Sequence, residues 1–131
     1  MITVKPKSGR GARVAEHRRM LVETIGWQMR VQHHVWGPPT DLFETESAYI
    51  VRVEVAGMRE QDFSVVLENN YLSISGNRSE PHEHRAYHQM EVRFGEFQTV
   101  VALPGPVEIA DSRAEYEDGF LTISLPKPTS A

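Results

Sequence analysis

Histidine is the residue type in this sequence with the clearest capacity for chemistry, and there are six of them. His82, His84 and His88 lie close together, and His33 and His34 are adjacent. Side chains two apart on an extended segment project to the same side, so His82 and His84 could present two imidazoles to one metal ion. Their surroundings argue otherwise. "NRSEPHEHRA", residues 77–86, is charged and polar and supplies no thiolate. Solvated surface histidines, with at most adventitious metal capture, are the simpler reading, and no metal site is expected.

Catalysis finds still less support. No G-x-S-x-G and no G-x-x-x-x-G-K-[ST] occurs, and "GRGAR" at residues 9–13 follows no expected strand, so it does not read as a phosphate cradle. Glu44, Glu46, Glu54, Asp62 and Asp118 are scattered over turns and strand exteriors, where solubility and turn formation explain them better than paired acid–base work. With no cysteine and no serine beside a credible base, no nucleophile can be nominated. The expectation is a binding protein: not an enzyme, and without a cofactor.

The elements that would position any site fall into two parts. After Trp36 the pattern has period two. Tyr49, Val51, Val53 and Val55 alternate with more polar neighbours, as do Phe63, Val65 and Leu67, then Leu72 and Ile74, then Leu121, Ile123 and Leu125. Gly57, Asn69-Asn70, Gly76-Asn77, Pro104-Gly105-Pro106 and Asp118-Gly119 punctuate the runs. Short alternating strands with regular turns predict an all-β, immunoglobulin-like antiparallel β-sandwich. The polar stretch at 77–86 reads as an exposed loop between strands.

Before Trp36 the chain is different. Residues 1–12 carry "KPKSGRGAR" and read as mobile. From about Ala15 to Val31, Leu21, Val22, Ile25 and Met29 fall on one helical face, weakened by Gly26 and ended by Gly37-Pro38-Pro39. The apolar stripe Met20, Leu21, Ile25, Trp27 and Met29 has two readings. It packs on the sandwich, or it is an adaptable contact surface of the kind methionine suits.

Composition sets the outer limits. The chain is 40% hydrophobic with a net charge of −4, which suits a cored domain and argues against nucleic acid as the main partner. No stretch reaches about 18 apolar residues and the start is not a secretory signal, so neither membrane nor secretion is expected; the expected compartment is cytoplasmic.

From Trp36 onward the sequence resembles the small heat-shock proteins, whose shared module is the alpha-crystallin domain. The residues that carry the resemblance are Trp36-Gly37-Pro38, Asp41 to Thr45, "NNYLSISGNR", "YHQMEVRFGEFQTVVALP", and Ala114 with Asp118, Gly119 and Leu121. It implies an ATP-independent holdase that suppresses aggregation of partly unfolded clients, and a homodimer formed by strand exchange. The exchanged strand would hold Tyr87, His88, Met90, Glu91 and Val92. Client contacts would fall on Met20, Leu21, Ile25, Trp27 and Met29, with Phe63, Val65 and Leu67 along a groove. The implied layout is an arm, partly disordered and partly helical, over residues 1–35, the domain over 36–127, and a short tail over 128–131.

Four departures from the family pattern carry their own expectations. Ala56-Gly57 stands where Pro-Gly is usual. Thr99 stands where an arginine usually pairs with the carboxylate equivalent to Glu91, leaving Arg52, Arg85 or Arg93 as substitutes. Ser112 replaces an isoleucine, which should make the groove less apolar. An Ile-x-Ile tail that docks in a neighbour's groove has no counterpart in 128–131, so dimers or small assemblies are expected. Ile2-Thr3-Val4 is the candidate replacement tether. Two rival functions remain: a co-chaperone or scaffold with one defined partner, and a metal-binding protein using His82, His84 and His88.

Overall fold

The computed structural model describes residues 2–7, 35–81 and 83–129. Eight strands follow in chain order: β1 (Ile2–Pro6), β2 (Thr40–Glu44), β3 (Ala48–Glu54), β4 (Phe63–Glu68), β5 (Tyr71–Arg78), β6 (Gly95–Ala102), β7 (Arg113–Glu117) and β8 (Phe120–Pro126). Short 3-10 turns at Glu60–Asp62 and Ile109–Asp111 lead into β4 and β7.

The expected antiparallel sandwich is present. One layer pairs β2-β3-β8-β7 and the other β4-β5-β6, every pair antiparallel. β1 joins the layers, running antiparallel to β7 and parallel to β4. This parallel pair was not foreseen. Residues 2–6, read from the sequence as part of a mobile start, are a strand because Ile2 and Val4 alternate with Thr3 and Lys5 and find an apolar slot. The expected helix over residues 15–31 lies outside the described residues.

Alternation places the core. Val51 and Val53 on β3 and Leu121, Ile123 and Leu125 on β8 face Val65, Leu72, Ile74 and Phe97 from the other layer, all with negligible exposure. An aromatic row crosses between the layers: Trp36 to Phe97 at 5.4 Å, Phe97 to Phe63 at 6.1 Å, Phe63 to Tyr116 at 5.1 Å between ring centroids. Tyr116 is also anchored by its hydroxyl, which donates to the Val55 carbonyl at 2.7 Å and accepts from the Met58 amide at 3.2 Å.

Two-residue hairpins make the tight turns. Asn69 and Asn70 have φ of 49° and 65°, and Asp118 and Gly119 have 52° and 83°. Positive φ at both central residues matches the right-handed twist of the flanking strands, and Asn, Asp and Gly tolerate it best. Gly76 answers a different need. A Cβ there would lie 2.7 Å from the Asp62 carbonyl oxygen and 2.7 Å from the Phe97 ring, so the residue lets β5 pass close beneath both.

Candidate functional site

Three surfaces of the sandwich bear on function: the slot between β4 and β7, the loop between β5 and β6, and the edge strand β2. The slot exists because β4 and β7 end their layers and face each other with apolar side chains. Val65 and Ala114 form its buried floor, with Phe63, Leu67, Ile109 and Tyr116 half-buried around it. β1 fills it. Ile2 pairs with Ala114, Val4 with Val65 and Pro6 with Leu67, and the Lys7 amide donates to the Leu67 carbonyl at 3.1 Å. Ile2 and Val4 keep only 6% and 3% exposure, which contributes about 1.5–3 kcal/mol for each side chain before the cost of ordering the strand. Proline 6 has no N–H to extend the ladder, consistent with the strand ending there. Ser112 sits at the end of the second 3-10 turn, where its hydroxyl donates to the Glu108 carbonyl at 2.9 Å.

The loop contrasts with the slot. Among the described residues no strand forms between Arg78 and Gly95. Tyr87, Met90 and Val92 are exposed, the last two by 57% and 61%. Met90, Glu91, Val92, Arg93 and Phe94 line a cleft of about 560 Å³ against Trp36. The Tyr87 hydroxyl donates to Glu80 at 2.6 Å. That hydrogen bond, with smaller contributions from desolvation and the Glu80 charge, holds the phenol above its ordinary value, while Arg85 opposes the shift. Glu91 accepts from the Gln89 side chain.

Arg52 pairs with Asp41 at 3.0 Å and lies over the Phe43 ring, and Arg85 pairs with Glu83 at 2.9 Å, so neither meets Glu91 within the chain. Thr99 uses its hydroxyl on that of Thr40, at 3.1 Å. Among the described residues, Arg78 has the richest surroundings of the arginines: it lies over the Trp36 ring at 4.5 Å and donates to main-chain carbonyls. Sequence reasoning quoted Arg78 only as part of a motif and gave it no role.

The edge strand β2 leaves Leu42 and Phe43 exposed, and Phe120 on β8 is exposed as well. A strand whose outer edge is unpaired and whose side chains are apolar is a ready acceptor for another strand.

The Hsp20/alpha crystallin family model matches residues 41–131. The chain belongs to that family. Small heat shock protein C2 of Rickettsia felis is 35% identical over 92 residues, covering 69% of this chain and 60% of the relative. Spore protein SP21 of Stigmatella aurantiaca is 30% identical over 122 residues, covering 83% and 72%. Small heat shock protein C4 of Rickettsia felis is covered to 66%, so the chain spans less than two thirds of both rickettsial relatives. Among solved structures, hspA from Xanthomonas axonopodis matches with a TM-score of 0.68 at 26% identity, covering 75% of this chain and all of that one. HSP18.5 from E. histolytica matches with a TM-score of 0.66 at 27% identity, covering 74% and 93%. Members of the Hsp20 family are ATP-independent chaperones that form dimers and oligomers and bind client proteins.

Against this background the predicted residues divide. Phe63, Val65 and Leu67 do lie together along one slot, and β1 covers it. Tyr87, His88, Met90, Glu91 and Val92 lie together on the exposed loop. Met20, Leu21, Ile25, Trp27, Met29, His33, His34 and His82 fall outside the described residues. Among the described residues no three metal-ligating side chains converge, and no helix is long and apolar enough to cross a membrane.

Proposed function

We propose that this protein is a cytoplasmic holdase chaperone: without ATP, it binds partly unfolded clients and keeps them from aggregating. The observation that supports this best is the apolar slot of an Hsp20-family sandwich filled by only a five-residue strand. Clients are first met by Met20, Leu21, Ile25, Trp27 and Met29 in an arm over residues 1–35. Phe63, Val65 and Leu67 offer a second contact when β1 leaves. The domain proper runs over residues 36–127, with 128–131 as its tail.

Dimers form by exchange of residues 87–92 onto the partner's β2. The exposure of Tyr87, Met90 and Val92 and the apolar side chains of β2 favour this, since each half leaves surface that the other would cover. β1 extends the same logic to assembly. Its Ile-x-Val pattern fits the slot of its own chain and equally that of a second copy, which supports small assemblies held by the arm.

The test is light scattering of reduced insulin at increasing ratios of this protein, with no nucleotide. Suppression approaching completion near equimolar ratio is expected. Unchanged aggregation would overturn the holdase reading. Replacing Met20, Ile25 and Met29 together by serine should weaken protection while circular dichroism of the sandwich stays the same.

A further inference from the structure

The loop over residues 79–94 leaves the sheet after Arg78 and returns at Gly95. Side chains hold it close to both feet. Arg78 Nε and Nη2 both donate to the Arg93 carbonyl oxygen, at 2.9 and 2.5 Å, and Nη1 donates to the Ala56 carbonyl at 3.1 Å. Trp36 Nε1 donates to the Gly95 carbonyl at 3.3 Å, and the Trp36 main chain pairs with Glu96 and Gln98 at the start of β6. Gly95, with φ of +97°, supplies the bend between the two clamps.

The clamps touch each other. The Arg78 guanidinium lies 4.5 Å from the Trp36 ring centroid and 5.5 Å from that of Phe94. Planar stacking and a fixed fork of donors are both properties of guanidinium; an ammonium offers a point charge without a plane. Trp36 also opens the stretch that leads into β2, and it bridges to Phe97 on β6. One side chain therefore sits between Trp36, ahead of β2, and the return of the loop.

We propose that Arg78 is a positioning residue for the loop: its fork, braced by its contact with Trp36, fixes the direction in which residues 79–94 leave the sandwich. The consequence for dimers rests on the reading that residues 87–92 are the exchanged strand. A loop that leaves in a fixed direction presents that strand to the partner with less ordering cost, so loosening Arg78 weakens the dimer.

The experiment uses the full chain. Because the protein has no cysteine, Ala86→Cys and Glu115→Cys give two unique spin-label sites, one on the loop and one on exposed β7. Labelled protein is diluted with unlabelled protein so that only distances within a chain are read. Arg78→Lys should broaden the distance distribution and raise the dimer dissociation constant about tenfold, the scale of losing one charge-assisted hydrogen bond. Trp36→Phe should act in the same direction, and the double variant should do no more than the stronger single change, as coupled neighbours do. A distribution as narrow as wild type in Arg78→Lys overturns the role of Arg78 and leaves the exchanged strand standing. A broadened loop with an unchanged dimer constant supports the role of Arg78 in holding the loop and overturns the exchanged strand. Additive effects of the two substitutions overturn the coupling of Arg78 to Trp36. Amide exchange in β3 and β8 distinguishes positioning from stability: exchange that rises there in step with the loop overturns the positioning role.

Discussion

Two segments outside the main antiparallel pairing carry apolar side chains, and they end in opposite conditions. Ile2 and Val4 on β1 are almost wholly buried, whereas Met90 and Val92 on the loop are more than half exposed. The difference lies in what the sandwich offers each. β4 and β7 leave an apolar slot one strand wide, and a segment with aliphatic residues two apart fills it. Among the described residues the loop is held at its feet by Trp36 and the fork of Arg78, and Met90 and Val92 in its middle stay exposed. A segment satisfied within the chain serves stability; one with unsatisfied apolar surface calls for a partner.

The sharpest way to break that comparison is to remove the loop. Replacing residues 80–91 with a short Gly-Ser turn should leave the sandwich folded and convert dimers to monomers, read by multi-angle light scattering over a concentration series. Persistent dimers would move the interface elsewhere. The counterpart change in β1 is Ile2→Ser with Val4→Ser. It should cost about 2–4 kcal/mol in denaturant-induced unfolding, because two buried side chains are lost from the slot. A change below about 0.5 kcal/mol would show that the slot gains nothing from β1 in solution.

The reciprocal experiment concerns the loop's side chains. Met90→Ser with Val92→Ser should shift the unfolding of diluted monomer by no more than about 0.5 kcal/mol, as exposed substitutions do, while weakening the dimer. A large loss in the monomer would mean that the loop packs on its own chain. Smallest of all is Arg52→Ala. Its pair with Asp41 is exposed on both sides, so the expected loss is about 0.2–1 kcal/mol by denaturant titration.

Cysteine pairs refine the comparison further. Thr3 and Arg113 stand opposite each other in the β1–β7 ladder. In one chain, Thr3→Cys with Arg113→Cys should close a disulfide on oxidation. Mixing the two single-cysteine proteins should give a cross-linked dimer only when β1 seats in a second copy. A closed double variant without any mixed dimer would confine β1 to its own slot.

The layers of the sandwich were legible because their residues obey one rule. Tyr49 to Val55, Phe63 to Leu67, Leu72 to Ile74 and Leu121 to Leu125 alternate, and the alternation marks the buried face. Three strands escaped that rule. β2 buries almost nothing, β6 carries the adjacent valines Val100 and Val101, and β7 is charged at three of its five positions. β1 was visible as an Ile-x-Val pattern, yet its seat depends on residues distant in sequence and could not be read locally. The grouping of Phe63, Val65 and Leu67 was legible, but their cover was not. Arg78 stayed hidden for a similar reason: its partners are carbonyl oxygens, which leave no mark on residue type.

The pairing of β1 also constrains the order of events during synthesis. Ile2 and Val4 leave the ribosome more than 100 residues ahead of Arg113 and Ala114 on β7, which form one wall of their seat. Contacts so far apart in sequence form slowly, because the intervening chain must close first. Until β7 emerges, Ile2 and Thr3 lack their ladder partners Ala114 and Arg113 and the slot stands open on that side. For that interval a nascent chain exposes apolar surface of the kind the proposed clients would, and chains already folded on the same message lie nearest to it.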